Sequence, residues 1–116
     1  MGKKSILIAA DNPESMGFLI DLLKNDYDLH ATADGHNTIT VAMNLLPQLI
    51  LLDLDGPGMT GYEVVSALRF MNETRNIPAV IISGNTKKNW LQLDATDYVP
   101  KNPDSIKTKV QELIGV

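Results

Sequence analysis

Gln48-Leu49-Ile50-Leu51-Leu52-Asp53 is the stretch on which the reading of the chain turns. Four consecutive apolar residues leave no polar face, so the segment fits a strand covered on both sides, at the centre of a parallel sheet. Asp55-Gly56-Pro57-Gly58 follows and is turn chemistry that cannot prolong a strand. Thr60-Gly61-Tyr62-Glu63 then matches a capping box, with Thr at the N-cap and Glu three residues on. Val64, Ala67, Leu68 and Met71 supply the apolar side of a helix running to about Asn72.

The same alternation extends in both directions. Upstream, Ser5 to Ala10 is an apolar run ending at Asp11, and Asn12-Pro13-Glu14 is a helix start with Asn at the cap and Pro at the first helical position. Met16, Leu19, Ile20 and Leu23 form its stripe, and the helix should stop near Asn25-Asp26. Tyr27 to Ala33 predicts a more polar strand nearer an edge, and Asp34-Gly35 reads as a turn. Ile39, Ala42, Met43 and Leu46 predict a helix ended before Pro47. Downstream, Ile77 to Ser83 and Thr96 to Pro100 predict the fourth and fifth strands. Asn102-Pro103-Asp104 opens a last helix whose buried face is Ile106, Val110, Leu113 and Ile114. Strand–helix alternation repeated five times implies an α/β domain, a parallel sheet with helices on both faces. Residues 85–94 are near the lower limit of about 10–12 for a whole crossover, so the fourth helix is expected to be short or absent.

Composition bounds the function. At 116 residues, 1–116 is expected to be one domain, and 44% hydrophobic residues suffice for a core. Fourteen acids against ten bases give a net charge of −4, which disfavours direct nucleic-acid binding. The absence of Cys excludes disulfides, thiolate metal sites and Cys nucleophiles. No apolar run approaches a membrane span and no signal peptide is visible, so a soluble, cytoplasmic protein is expected.

In a doubly wound sheet, ligands collect beyond the carboxyl ends of the strands. Asp11 and Asp53 end strands one and three there, Asp55 lies two residues on, Ser83 ends strand four and Lys101 strand five. Carboxylates gathered at one point repel unless a hard cation lies between them, and an oxygen-only donor set favours Mg²⁺ over Zn²⁺. A carboxylate can itself be the nucleophile of phosphoryl transfer, which points to Asp53 as acceptor. Each residue alone has a plainer reading as a cap, a turn or a solvated charge; their co-occurrence at one rim carries the inference.

These residues resemble the receiver domain of two-component response regulators over roughly Lys4 to Ile114. The resemblance rests on Ile6-Leu-Ile-Ala-Ala-Asp11-Asn-Pro, Leu51-Leu-Asp53-Leu-Asp-Gly-Pro57-Gly-Met59-Thr-Gly61-Tyr-Glu63, Pro78-Ala-Val-Ile-Ile-Ser83-Gly84 and Asp97-Tyr98-Val-Pro-Lys101. It implies a flavodoxin-like five-stranded sheet of order 2-1-3-4-5. It further implies that Asp53 is the phosphoacceptor, served by a histidine kinase or phosphotransfer protein. Asp11, Asp53 and the Asp55 carbonyl would hold Mg²⁺, Ser83 and Lys101 would meet the phosphoryl group, and Ser83 and Tyr98 would switch. The chain would then act as a signalling element, not an enzyme beyond its own phosphorylation and dephosphorylation, altering the affinity of an output partner, with homodimerisation left open. With no DNA-binding region after Val116, a stand-alone receiver or one excised from a longer protein is expected.

Departures from the pattern shape the expectations. Ala10 stands where the first of two acids is usual, which should weaken Mg²⁺ binding unless Asp55 compensates by facing the site. Gly56 should loosen its loop. Asn102 follows Lys101 where Pro in a cis bond is typical, so a trans peptide or a locally changed loop is expected there. The main alternative is a pseudo-receiver, a protein-interaction module without regulated phosphorylation. Leu52-Asp53-Leu54-Asp55-Gly56 also resembles the D-x-D-G nucleophile motif of haloacid-dehalogenase-type phosphatases, but Pro57 departs from it and no acidic pair follows Lys101. Flavin binding lacks a phosphate cradle, since Asp11-Asn12-Pro13-Glu14 is acidic. Trp90 is expected in the core, and His30 and His36 as solvated side chains without partners.

Overall fold

A computed structural model describes residues 2–82 and 95–116. Its elements run β1 (Ser5–Ala10), α1 (Pro13–Leu23), β2 (Asp28–Thr32), α2 (Gly35–Leu45), β3 (Leu49–Asp53), α3 (Gly61–Phe70), β4 (Ala79–Ile82), β5 (Asp97–Val99) and α4 (Pro103–Ile114). All pairings are parallel and the sheet order is β2-β1-β3-β4-β5, a flavodoxin-like arrangement. The strand reversal falls between β1 and β3, so their carboxyl ends open side by side, where Ala10 lies in register with Asp53. The short or absent fourth helix and the place of Trp90 concern residues outside those described.

The period-2 alternation of the strands divides the core into two layers. Ile6 and Ile8, Leu49 and Leu51, and Val80 and Ile82 face α1 and α4, where Leu19, Leu23, Ile106 and Val110 cover them. Leu7, Ala9, Ile50, Leu52, Ala79 and Ile81 face α2 and α3, against Ala42, Val64, Val65 and Leu68. Every residue of β3 is buried, as its uninterrupted apolar run requires.

The helix starts follow their caps. Asn12 Oδ1 accepts from Ser15 N at 2.8 Å, and Asn102 Oδ1 from Asp104 N and Ser105 N at 2.9 and 3.1 Å. Thr60 and Glu63 form the reciprocal capping box. Three expectations need correction. Asp34 is not a bare turn residue but the N-cap of α2, accepting from Asn37 N at 2.8 Å. Leu46 does not extend the buried stripe: it caps α2 at φ 50°, 52% exposed, because Pro47 ends the helical path. His30 is half-buried with Nε2 3.3 Å from Asp28 Oδ2, and so has a partner.

Candidate functional site

Alternation along β3 sets the direction of Asp53. It shares parity with Leu49 and Leu51 and therefore faces the α1/α4 side, beneath the amino ends of both helices. The residue is 2% exposed. Lys101, in the turn between β5 and α4, reaches over the rim and brings Nζ to 2.8 Å from Asp53 Oδ2. That oxygen is buried and makes no hydrogen bond, since the ammonium approaches as a close charge outside hydrogen-bond geometry. The ammonium is anchored on its other side by Ser15 Oγ at 2.5 Å.

Two further carboxylates complete the rim. Asp11 follows β1, and its N–H donates to the Asp53 carbonyl at 3.4 Å. Its Oδ2 accepts from Gly56 N at 2.5 Å. A Cβ at position 56 would lie 2.7 Å from that oxygen, so glycine permits the approach. The expected loosening at Gly56 is thus replaced by a tie between the two loops. Asp55 is exposed, yet its carboxyl is pushed above the usual carboxylate range, first by desolvation and then by the charge and hydrogen bonding of Asp53 beside it. Lys101 opposes that rise and Asp11 adds to it.

Asp11, Asp53, Asp55 and Lys101 therefore come together as the sequence implied. Tyr98 does not join them. It packs on the α2/α3 side with Ile77 and Tyr62, and its hydroxyl is pushed up by desolvation and by the neighbouring Asp97 and Tyr62. Ser83 lies outside the described residues, although Ile82 before it ends β4 at this rim. The peptide after Lys101 is trans, as no described peptide bond is cis.

Sequence reasoning missed Ser15 and the use of Gly56. Ser15 was legible in principle. With Leu19 and Leu23 it makes an i, i+4, i+8 series, all three buried, so a hydroxyl occupies the apolar face of α1. Gly56 gave no such signal, because its role depends on a residue 45 positions away.

The donor set suits a hard divalent cation. It is all oxygen, it carries concentrated negative charge, and Asp53 Oδ2 is buried with hydrogen-bonding capacity unused. Even so, no three His, Cys, Asp or Glu side chains among the described residues already form a metal cage. The two observations are compatible for Mg²⁺, which needs only one or two carboxylates and keeps several waters.

The family model of the response regulator receiver domain matches residues 6–111. Sensor histidine kinase TmoS of Ectopseudomonas mendocina is 28% identical over 117 residues, spanning 96% of this chain and 12% of that protein. The polar-differentiation response regulator DivK of Brucella anthropi is 31% identical over 86 residues, spanning 73% of this chain and 70% of that protein. The chain spans only 12, 23, 8 and 8% of the first four curated relatives it matches.

Among solved structures, the receiver domain of a sensor histidine kinase from Pseudomonas aeruginosa PAO1 superimposes with TM-score 0.89 at 24% identity, covering 99% of this chain and 100% of that one. It is described with a magnesium ion coordinated in its active site cleft. A complex of histidine kinase ThkA with response regulator TrrA contains a similar fold, with TM-score 0.82, 24% identity and coverage of 96% and 98%. The match over residues 6–111, the strand order and the rim that unites Asp11, Asp53 and Lys101 lead to one assignment: this chain belongs to the response regulator receiver domain family.

Proposed function

We propose that the chain is a phosphorelay receiver in which Asp53 accepts a phosphoryl group from a phosphohistidine of a histidine kinase or phosphotransfer protein. The observation that carries this is Asp53 Oδ2: buried, unused as a hydrogen-bond acceptor, and facing the Lys101 ammonium at 2.8 Å. In the transfer, an Asp53 oxygen attacks phosphorus, the P–N bond breaks, and the donor imidazole leaves with the bonding electron pair. Lys101 is placed to neutralise charge on the phosphoryl oxygens, and Ser83 would hold another. Asp11, Asp53 and Asp55 would hold Mg²⁺, which supplies charge neutralisation at the phosphoryl oxygens when bound. The resulting acyl phosphate changes the charge at the rim, and Tyr98, on the other side of β5, would relay that change to an output partner.

A kinase as donor is supported by the ThkA–TrrA complex, and Mg²⁺ by the Pseudomonas aeruginosa neighbour. The reaction takes place on the protein's own side chain, so no turnover of a separate substrate is expected. No described helix is long and apolar enough to cross a membrane, which leaves the expected cytoplasmic placement a proposal.

The test is intact mass after incubation with acetyl phosphate and millimolar Mg²⁺, together with a thermal shift on adding beryllium fluoride. One phosphoryl group and a raised melting temperature are expected, both lost in Asp53→Asn. The second reading, an interaction module without regulated phosphorylation, is favoured by Ala10 and by Asp11 Oδ2 being held by Gly56 N. Absence of both responses in the unsubstituted protein selects it.

A further inference from the structure

We propose that Ser15 is a positioning residue that fixes the Lys101 ammonium on Asp53 in preference to the other carboxylates of the rim. Where phosphoryl transfer is concerned, this rests on Asp53 being the acceptor; the contact itself does not. A lysine head is a point charge on a flexible stem, with three donors and little directional preference. Lys101 is about one-third exposed, and its charge also acts on Asp55. A single contact with Asp53 would leave the head free to swing toward Asp55 or water. Ser15 removes that freedom by giving the ammonium a second anchor, 2.5 Å away.

The anchor is itself rigid. Ser15 is 5% exposed and lies on the α1 face that Leu19 and Leu23 bury in the core. Its backbone N–H is tied to the Asn12 cap at 2.8 Å. The chain Ser15–Lys101–Asp53 thus joins α1, the β5–α4 turn and β3 through one cation. Among the described residues, no other side chain hydrogen-bonds the Lys101 ammonium in a way that could substitute for Ser15. A cavity of about 280 Å³ lined by Glu14, Ser15, Phe18, Lys101 and Pro103 lies beside the contact.

The experiment compares the full chain with Ser15→Ala and Ser15→Thr. The first readout is the Lys101 ammonium resonance in ¹⁵N-resolved NMR of the unphosphorylated, Mg²⁺-free protein. The second is the rate of Asp53 phosphorylation across acetyl phosphate concentrations with Mg²⁺ present. Ser15→Ala should broaden the ammonium signal away and lower the maximal rate about five- to tenfold, the net worth of one ordinary hydrogen bond. The half-saturating concentration should stay unchanged, and Ser15→Thr should restore both readouts. An unaltered ammonium signal in Ser15→Ala overturns the proposal, and so does a Thr variant that behaves like Ala, since that assigns the effect to packing. Should the unsubstituted protein fail to take up phosphoryl, the acceptor reading falls, while the ammonium signal still decides whether Ser15 holds Lys101.

Discussion

At the amino ends of the strands, Tyr27 Oη donates to the Gly115 carbonyl at 2.5 Å, Lys4 Nζ donates to the Ile114 carbonyl, and Gln48 Oε1 accepts from Ser5 N at 2.9 Å. At the carboxyl ends, three carboxylates gather where one lysine pairs with Asp53, and a buried oxygen of Asp53 makes no hydrogen bond. Both rims are assembled from residues distant in sequence. At the first, each of these donors meets a neutral acceptor, and the Tyr27 and Lys4 contacts fasten the end of α4 to the sheet beside an open groove of about 780 Å³. At the second, like charges are held together and the excess is left unneutralised. A fold maximising stability would build both ends like the first, because an unsatisfied buried polar group costs about 1–3 kcal/mol. The contrast marks the carboxyl rim as the end kept for chemistry.

Breaking the carboxyl rim should have the largest effect. Lys101→Ala removes the cation from a 98%-buried carboxylate and leaves Ser15 Oγ without its donor. A loss of about 2 kcal/mol is expected by urea unfolding, below the 3–5 kcal/mol of a fully buried pair because Lys101 is partly exposed. Tyr27→Phe, at the other rim, deletes one hydrogen bond and should cost about 1 kcal/mol. It should leave acetyl phosphate labelling of Asp53 unchanged, whereas Lys101→Ala should impair it. If both variants impaired labelling alike, the division of labour between the rims would be wrong.

Tyr27 also gives the comparison a pH signature. Burial first, and then Asp26, raise the Tyr27 hydroxyl above its ordinary 10.0. The unfolded chain therefore loses this proton before the folded one. The contribution is fully present below pH 10 and is lost as pH climbs through the raised folded value. Alkaline unfolding should accordingly be steeper in the unsubstituted protein than in Tyr27→Phe.

Much of this contrast was legible beforehand. The apolar run of β3, the two Asn-Pro-acid starts and the Thr60–Glu63 box are local signals, and local chemistry decides them. The convergence of Asp11, Asp53, Asp55 and Lys101 followed from strand order, since each lies at or just beyond a strand end. Other features depended on distances that no local pattern encodes. Gly56 meets Asp11 across 45 residues and Ser15 meets Lys101 across 86. The amino rim was not anticipated at all, because each of its contacts has a backbone group on one side, which every residue carries and no sequence distinguishes.

Asp55 sharpens the comparison by reversing the usual sign of a polar deletion. Desolvation and then Asp53 raise its carboxyl above the ordinary 3.8. An acid raised on folding stabilises only while protonated, so its contribution is lost as pH rises from about that value through the raised one. At neutral pH the ionised group repels its neighbours. Asp55→Asn should therefore raise stability by about half a kcal/mol at pH 7, a modest figure because the residue is exposed to solvent screening. The gain should vanish near pH 3, and the thermal shift produced by Mg²⁺ should shrink.

The smallest effect belongs to an ion pair that serves neither rim. Lys109 Nζ lies 2.6 Å from Asp97 Oδ2 and 2.9 Å from Glu112 Oε2, joining β5 to α4 at the surface. The hydrogen bond from Lys109 holds the Asp97 carboxyl below its usual range, against a smaller desolvation effect. An acid lowered on folding stabilises above its unfolded value of 3.8, and that contribution fades as pH falls through the lowered one. Its partners are partly exposed, so Asp97→Asn should cost no more than about 0.5 kcal/mol at pH 7, and less as pH falls through the lowered value. Raising the salt concentration should erase the same difference, because the Debye length falls to about 3 Å at 1 M. Lys101 differs from Lys109 in the burial of its carboxylate partner, 2% exposed against 40%. Salt should therefore leave most of the Lys101→Ala loss in place, and a loss at Lys101 that salt abolished would mean that the carboxyl rim is solvated like any other surface.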